Sequence, residues 1–472
     1  MVLYRIIRKM KVIIGLILLL LIEMNISCKA QEGRISDSKS KSWLVQKIDP
    51  SNVQTFAALK NVLEGKKIVL LGEKNHNDGS TLKLKVDLIK YLHDSLGFNI
   101  LLIENGIYDT YRAWKDILEK KDSTVGVFAY LFHLFPNIIT EENIQFARYL
   151  DHTLQTKNPL VLNGLDITGG TMYHHAFYLE LEELLKKLSS GKDSLIMSDY
   201  VKFSLKGKRK EFNNSQESLT WMKSLNLDSI KYYGNRLIEF LEQKRIQFRS
   251  DSILSQREIP LFIQSIHSDI ANYPYTIDAT GKLLEGKYGK GTGKDRDEFI
   301  AENVFWYIEK YYPGQKFIIS MATFHTTKDL SQLRDKYEDF KDIKPLGEFL
   351  YDKYFRDIYS ICFVNYGGKR RNIRNYDMTT IPSAPKGSIE RVLHESKTNV
   401  GFLNIGDSSL YPIKFRNKSL SPIFDSWYFA DWSKVYDGII FIDQMEPANI
   451  KLLPQRTGMK QPYNLPKEYY AN

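Results

Sequence analysis

Cysteine is almost missing from this chain of 472 residues, which holds only Cys28 and Cys362. Neither a disulfide framework nor a cysteine-rich zinc site can organise its fold. Long apolar runs are missing as well. The run Val12 to Ile22 has eleven residues, against the roughly 20 that a bilayer-spanning helix needs. No Gly-x-Ser-x-Gly elbow occurs, and Ser320 lies before a strand end without that turn, so a serine nucleophile of that kind is excluded. The nine histidines include no His-x-x-x-His pair, which removes the helical zinc-hydrolase motif. Gly286-Lys-Tyr-Gly-Lys-Gly-Thr-Gly lacks the Gly-Lys-Ser/Thr spacing of a phosphate cradle, and Thr276 to Lys294 reads as a flexible loop. There is no repeat of fixed period. Net charge is +10, but Arg5, Arg8, Lys9 and Lys11 against Glu23 supply three of those charges in the first 27 residues. The remaining basic residues are mixed with acids, so no nucleic-acid partner is expected.

What is present begins with an export signal. A basic segment, Arg5 to Lys11, precedes the short apolar core, and Asn25-Ile26-Ser27-Cys28 follows it. Residues 1–27 therefore read as a signal peptide. A small residue before Cys28 resembles a relaxed bacterial lipobox, which makes Cys28 a lipidation site. Residues 28–45 then become a tether to a membrane, in a cell-envelope protein facing the periplasm or the cell surface. The alternative is ordinary cleavage a few residues later and a soluble secreted protein. With 43 % hydrophobic and 13 % aromatic residues, residues 46–472 can bury a large core. Cys362, in an apolar context, reads as part of it.

Four apolar runs each end near an ionisable residue. Lys67 to Gly72 leads to Glu73 and His76; Asn99 to Ile103 ends in Glu104; Pro159 to Leu165 ends in Asp166; Lys316 to Met321 precedes His325. Helical patterns separate them, at 82–96, 107–119, 124–134, 141–156 and 295–311. Two further strands are expected at 357–366 and 436–443, a helix at 389–396, and a helical insertion at about 172–275. This predicts an α/β fold: a mostly parallel sheet flanked by helices, with a helical insert. In such a sheet, residues beyond the carboxyl ends of the strands share one crevice. The alternative for Glu104 and Asp166 is helix capping. Converging carboxylates and imidazoles suit proton transfer. The same Glu73, His76, Glu104, Asp166 and His325 are alternatively a divalent-metal set, although no cofactor is predicted. His93, His152, His267 and His394 read as surface residues and His133 as core.

The ordered set Gly72-Glu73-Lys74-Asn75-His76, the helix with Lys85, Gly97-Phe98, Glu104, Gly164-Leu165-Asp166 and Arg296-Asp297 with Ala301-Glu302-Asn303 resembles the erythromycin esterase-like family over roughly residues 50–445. The resemblance implies hydrolysis of an ester or related acyl bond of a small-molecule substrate by activated water, with no covalent intermediate. His76 would be the general base. Glu73 or Glu104 would orient it, or Glu104 would itself be the base if burial raised its pKa. Arg296, Lys85 and His325 would stabilise the oxyanion, and Asp166 would hold Arg296 or a histidine. Two departures stand out. Lys74-Asn75 replaces the family's Ala-Thr. Ala322-Thr323-Phe324-His325 replaces its His-Asn-x-His, a departure that bears on substrate rather than on fold. A non-catalytic surface lipoprotein holding a haem-type ligand is the other reading that the resemblance implies.

Overall fold

A computed structural model describes residues 46–49, 53–76, 78–120, 123–131, 138–168, 174–188, 215–247, 257–286, 295–334, 343–371, 377–405, 418–423 and 426–452. The signal segment, Cys28, the tether up to residue 45 and His133 lie outside these residues.

The apolar runs form strands β1 (Ile68–Glu73), β2 (Ile100–Gly106), β3 (Val161–Asp166), β4 (Phe317–Ala322), β5 (Ile358–Arg371), β6 (Val400–Asn404) and β7 (Gly438–Met445). In one sheet they run in the order β6-β7-β5-β1-β4-β2-β3. Every pair from β7 to β3 is parallel. The antiparallel members are β6, beside β7, and a short arm, Met378–Ile381, beside the extended end of β5. All six residues of β1 are buried, the pattern expected of a central parallel strand covered on both faces. Chain order reverses around β1, and the later strand β4 inserts between β1 and β2. The carboxyl ends of β1, β4, β2 and β3 thus become consecutive neighbours, which brings the four predicted strand ends together.

Helices α1 (Gly79–Leu96), α2 (Ile107–Leu118), α3 (Thr124–Leu131), α4 (Glu141–Thr153), α5 (His174–Leu188), α6 (Ser215–Lys223), α7 (Leu227–Gln247), α8 (Ile259–Leu284), α9 (Arg296–Trp306), α10 (Leu346–Tyr354) and α11 (Ile389–Glu395) follow the expected order. The amphipathic α1 ends at Gly97 in the left-handed region (φ 72°), whose N–H closes on Leu92 and His93 carbonyls, a conformation that glycine adopts at low cost. One core layer packs Val69, Leu71, Leu101 and Ile103 against Leu88 and Leu92 of α1. The other packs Leu70, Leu102 and Ile319 against Phe262 and Ile266 of α8 and Ile300 and Val304 of α9.

Two sequence expectations need correction. The loop expected from Thr276 is helix as far as Leu284. There Lys282 pairs with Asp278 one turn earlier, at 2.8 Å, and Gly281 leaves van der Waals room for Leu219 of α6. His93, expected at the surface, is buried between the Tyr149 hydroxyl (2.6 Å) and the Asn158 carbonyl (2.9 Å). His152 and His267 are exposed as expected. His394 is half-buried, stacked on Tyr366 and bonded to Asp443 at 2.6 Å. Cys362 is buried.

Two glycines permit the close approaches that shape the sheet's carboxyl edge. A Cβ on Gly164 would lie 2.5 Å from the Asn105 carbonyl oxygen, where the β2–β3 pairing slips between Ile103 and Gly106. A Cβ on Gly72 would lie 2.8 Å from Cα of Thr323, the first residue of the helical turn Thr323–Thr326 that carries His325. Gly72→Ala should therefore cost about 1–3 kcal/mol through overpacking. The drop should be read from the denaturant midpoint, with the slope unchanged.

Candidate functional site

The strand ends deliver two charged groups. In the first, Glu73 closes β1 and is nearly buried, at 8 % exposure. One of its carboxylate oxygens accepts the Nδ1–H of His76 at 3.1 Å. The other is ion-paired with Lys85, which α1 brings in buried from the following helix. In the second group, Arg296 opens α9 and acts as the hub. Its Nε donates to Asp166 at 3.1 Å, and its Nη2 donates to Asp166 at 2.5 Å and Glu104 at 3.1 Å. Its Nη1 lies 3.3 Å from Nε2 of His325. Asp166 also takes the Thr168 amide and hydroxyl at 3.2 and 2.6 Å, so local capping and ion pairing coexist at that residue.

Ala322 joins the two groups. It is the register partner of Glu73 in the sheet, and its amide donates to Glu104 at 3.1 Å. His325 is fixed by Asp297, whose carboxylate accepts Nδ1–H at 2.8 Å and also takes the Leu346 amide at 3.0 Å. Asp297 was given no role from sequence. Its adjacency to Arg296 was the available signal, because consecutive residues at a helix start can serve different neighbours.

The charges follow from this wiring. Burial raises the Glu73 carboxyl, but Lys85 and His76 outweigh it and hold the group below its usual range. Enclosure by neighbours pulls His76 down, while the Glu73 hydrogen bond and the Glu73 and Glu104 charges push it up to about 9. Solvent reaches 56 % of this side chain, so screening trims the rise. Burial likewise raises Glu104, but His325, Arg296 and His76 hold it well below the carboxylate range. Glu104 is therefore a poor base, contrary to one sequence reading. Arg296 is locked in its charged form: burial opposes the charge, but Asp166 and Glu104 favour it more strongly. For His325, burial lowers the pKa, but Asp297 and Glu104 set the net direction upward.

The metal set is not assembled. Among the described residues, no three His, Cys, Asp or Glu side chains are placed to hold an ion. Asp166 and Glu104 are already directed at a guanidinium, and Glu73 at an ammonium. The arrangement instead presents one solvent-accessible imidazole with a buried carboxylate behind it, next to an Arg–His pair backed by carboxylates. That pairing suits proton transfer beside a developing negative charge.

Removing the carboxylate behind His76 tests this wiring. Without the hydrogen bond and negative charge of Glu73, a Glu73→Gln protein should show a His76 pKa shifted down toward 6.5, the ordinary value. Histidine NMR titration should show the midpoint fall; an unchanged midpoint would remove Glu73 as the cause.

The sequence profile of the family described as Erythromycin esterase matches residues 93–445, a span that holds Glu104, Asp166, Arg296 and His325 and begins after His76. The chain is 24 % identical over 436 residues to "Putative hydrolase YbfO" of Bacillus subtilis (strain 168), covering 86 % of this chain and 90 % of that protein. It is 21 % identical over 430 residues to "Erythromycin esterase type II" of Escherichia coli, covering 84 % and 94 %. Among solved structures, a Bacillus cereus protein superposes with a TM-score of 0.66 at 17 % identity, covering 87 % of this chain and 98 % of that one. A mutant erythromycin esterase in its open conformation gives 0.59 at 16 %, covering 86 % and 97 %. These structural likenesses concern the fold.

Proposed function

The chain belongs to the erythromycin esterase family, and from that premise we propose that it hydrolyses an ester or related acyl bond of a small molecule with water activated by His76. The observation that carries this reading is the Glu73-bonded, solvent-accessible imidazole at the end of the central strand, beside the Glu104–Arg296–His325 group. Glu73 engages Nδ1, which leaves Nε2 of the neutral ring as the proton acceptor. Water adds to the carbonyl carbon as Nε2 takes its proton, and the carbonyl π pair moves onto oxygen. Arg296 commits Nε and Nη2 to carboxylates and keeps Nη1 beside His325. That nitrogen and His325 beside it are the groups assigned to the oxyanion. Collapse of the tetrahedral adduct expels the alkoxide, which recovers the proton from His76. Glu73 stabilises the transient imidazolium, and Lys85 keeps Glu73 ionised.

By the resemblance read from sequence, Ala322 stands where the family carries a histidine, so His76 and His325 are the imidazoles this reading uses. Activated esters with wild-type protein and the His76→Ala variant provide the test. Turnover by both at equal rates would end the proposal. Export and lipidation at Cys28 belong to the same reading, supported by the basic segment and short apolar core of residues 5–22. Cys28→Ser should move the protein from the membrane fraction to the soluble fraction.

A further inference from the structure

A cavity of about 410 Å³ lies between α7, α8 and α9, just beyond the carboxyl end of β3. This is within the size range of small-molecule pockets. It contains none of Glu73, His76, Glu104, Asp166, Arg296 and His325, yet it lies next to them along the chain. Ile167, in its wall, directly follows Asp166. Phe299, also in its wall, lies one turn along α9 from Arg296, on the same helix face.

The lining is chemically specific. Ile167, Ile230, Ile270, Ala271, Pro274 and Phe299 supply apolar wall. The polar groups deeper in are satisfied among themselves. Asn303 accepts from Gln264 at 2.7 Å and from Ser268 at 3.2 Å, and it donates to the Leu165 carbonyl at 3.0 Å. A ligand therefore meets no buried charge there and need not satisfy that floor. At the mouth, exposed Asp228, Lys231 and Glu302 mix both signs, so neither a cation nor an anion is selected. Partial enclosure by neighbouring atoms and the charge of Lys310 hold His267, also on the lining, below its usual pKa.

The helix wall adds a polar feature. Pro274 sits inside α8 and has no amide hydrogen to give the Ile270 carbonyl four residues earlier. Both residues line the cavity, so the helix's missing donor falls at the cavity wall.

Resting on the hydrolase reading above, we infer that this cavity seats a neutral, largely apolar group of the substrate, ring-sized and bearing one hydroxyl or N–H, while the ester lies in the cleft beside Arg296. Specificity then resides in the helical insert, in α7 and α8, more than in the strand ends.

Two readouts on the full chain separate this inference from the reading beneath it. The first is kcat/KM on 4-nitrophenyl acetate and 4-nitrophenyl cyclohexanecarboxylate. Ala271→Phe, which places a ring in the cavity, should lower the ratio of cyclohexanecarboxylate to acetate by about tenfold; an unchanged ratio overturns the inference. The second is binding of N-phenyl-1-naphthylamine, a neutral apolar fluorophore with one N–H. The wild type should bind it saturably, and Ala271→Phe should weaken Kd by about tenfold. Pro274→Ala restores an amide to the helix, so it should weaken Kd while leaving the fold intact or firmer. If no ester turns over but the fluorophore signal behaves this way, the cavity stands and the ester chemistry falls. If the wild type does not bind the fluorophore, or if both variants bind it like the wild type, the cavity inference is wrong.

Discussion

His76→Ala should lower kcat on an activated ester by about 10²–10⁴-fold, the span removed when a positioned general base is lost. KM should change little, because the water-facing imidazole is assigned a proton to move and no substrate weight to carry. Stability should hardly move, since the side chain is 56 % exposed and, among the described residues, its hydrogen bond is to Glu73. A KM defect with kcat preserved would make His76 a binding residue. Parallel loss of stability would make it a structural one. Imidazole added to the alanine variant should restore part of the rate, because the cleft around His76 is open to solvent.

The second large effect is on the fold. Arg296→Met should destabilise the protein by about 3–5 kcal/mol, the cost of leaving buried charges without their partner. Asp166 is 2 % exposed and gives both oxygens to this guanidinium, and Glu104 gives it one more. Methionine fills much of the same space but neutralises nothing, so the two carboxylates then repel each other. Arg296→Lys should lie between the two, since an ammonium supplies charge without the planar fork that reaches both acids. Denaturant midpoints measured for the three proteins check the ranking. If the methionine variant were as stable as the wild type, Arg296 would not be the hub of this site.

The fold was legible because its signals were local. Buried parallel strands have nearly continuous apolar runs, and β1, β2, β3 and β4 each show one, as do β5 and β7. Strand β6 was missed because Val-Gly-Phe-Leu-Asn is short and carries a glycine. The end of α8 was missed because Thr276 to Gly281 look like loop residues singly, and their helicity is set by packing on α6. At the site, Glu73, His76, Glu104, Asp166 and His325 were found as strand ends, and the structure places them at one edge. Their partners were less visible. That Glu73 serves His76 while Glu104 serves Arg296 depends on β4 inserting between β1 and β2, which is a property of topology and leaves no mark in spacing. Asp297 escaped for the same reason. Its partners, His325 and the Leu346 amide, lie 28 and 49 residues away in the chain.

The central claim is that a histidine held by a carboxylate activates the water. The most direct measurement is kcat/KM of the wild-type protein against pH, at low ionic strength, on a neutral activated ester. This ratio reports the free protein's groups. The imidazole is raised to about 9 by Glu73 and Glu104, and only its neutral form accepts a proton. Activity should therefore climb through neutral pH and level off only above a midpoint well above 6.5, with about 1 % of the molecules competent two units below that midpoint. A profile that rises between pH 4 and 5 and is flat from pH 6 upward would contradict this, because it would make a carboxylate the base and leave His76 a bystander.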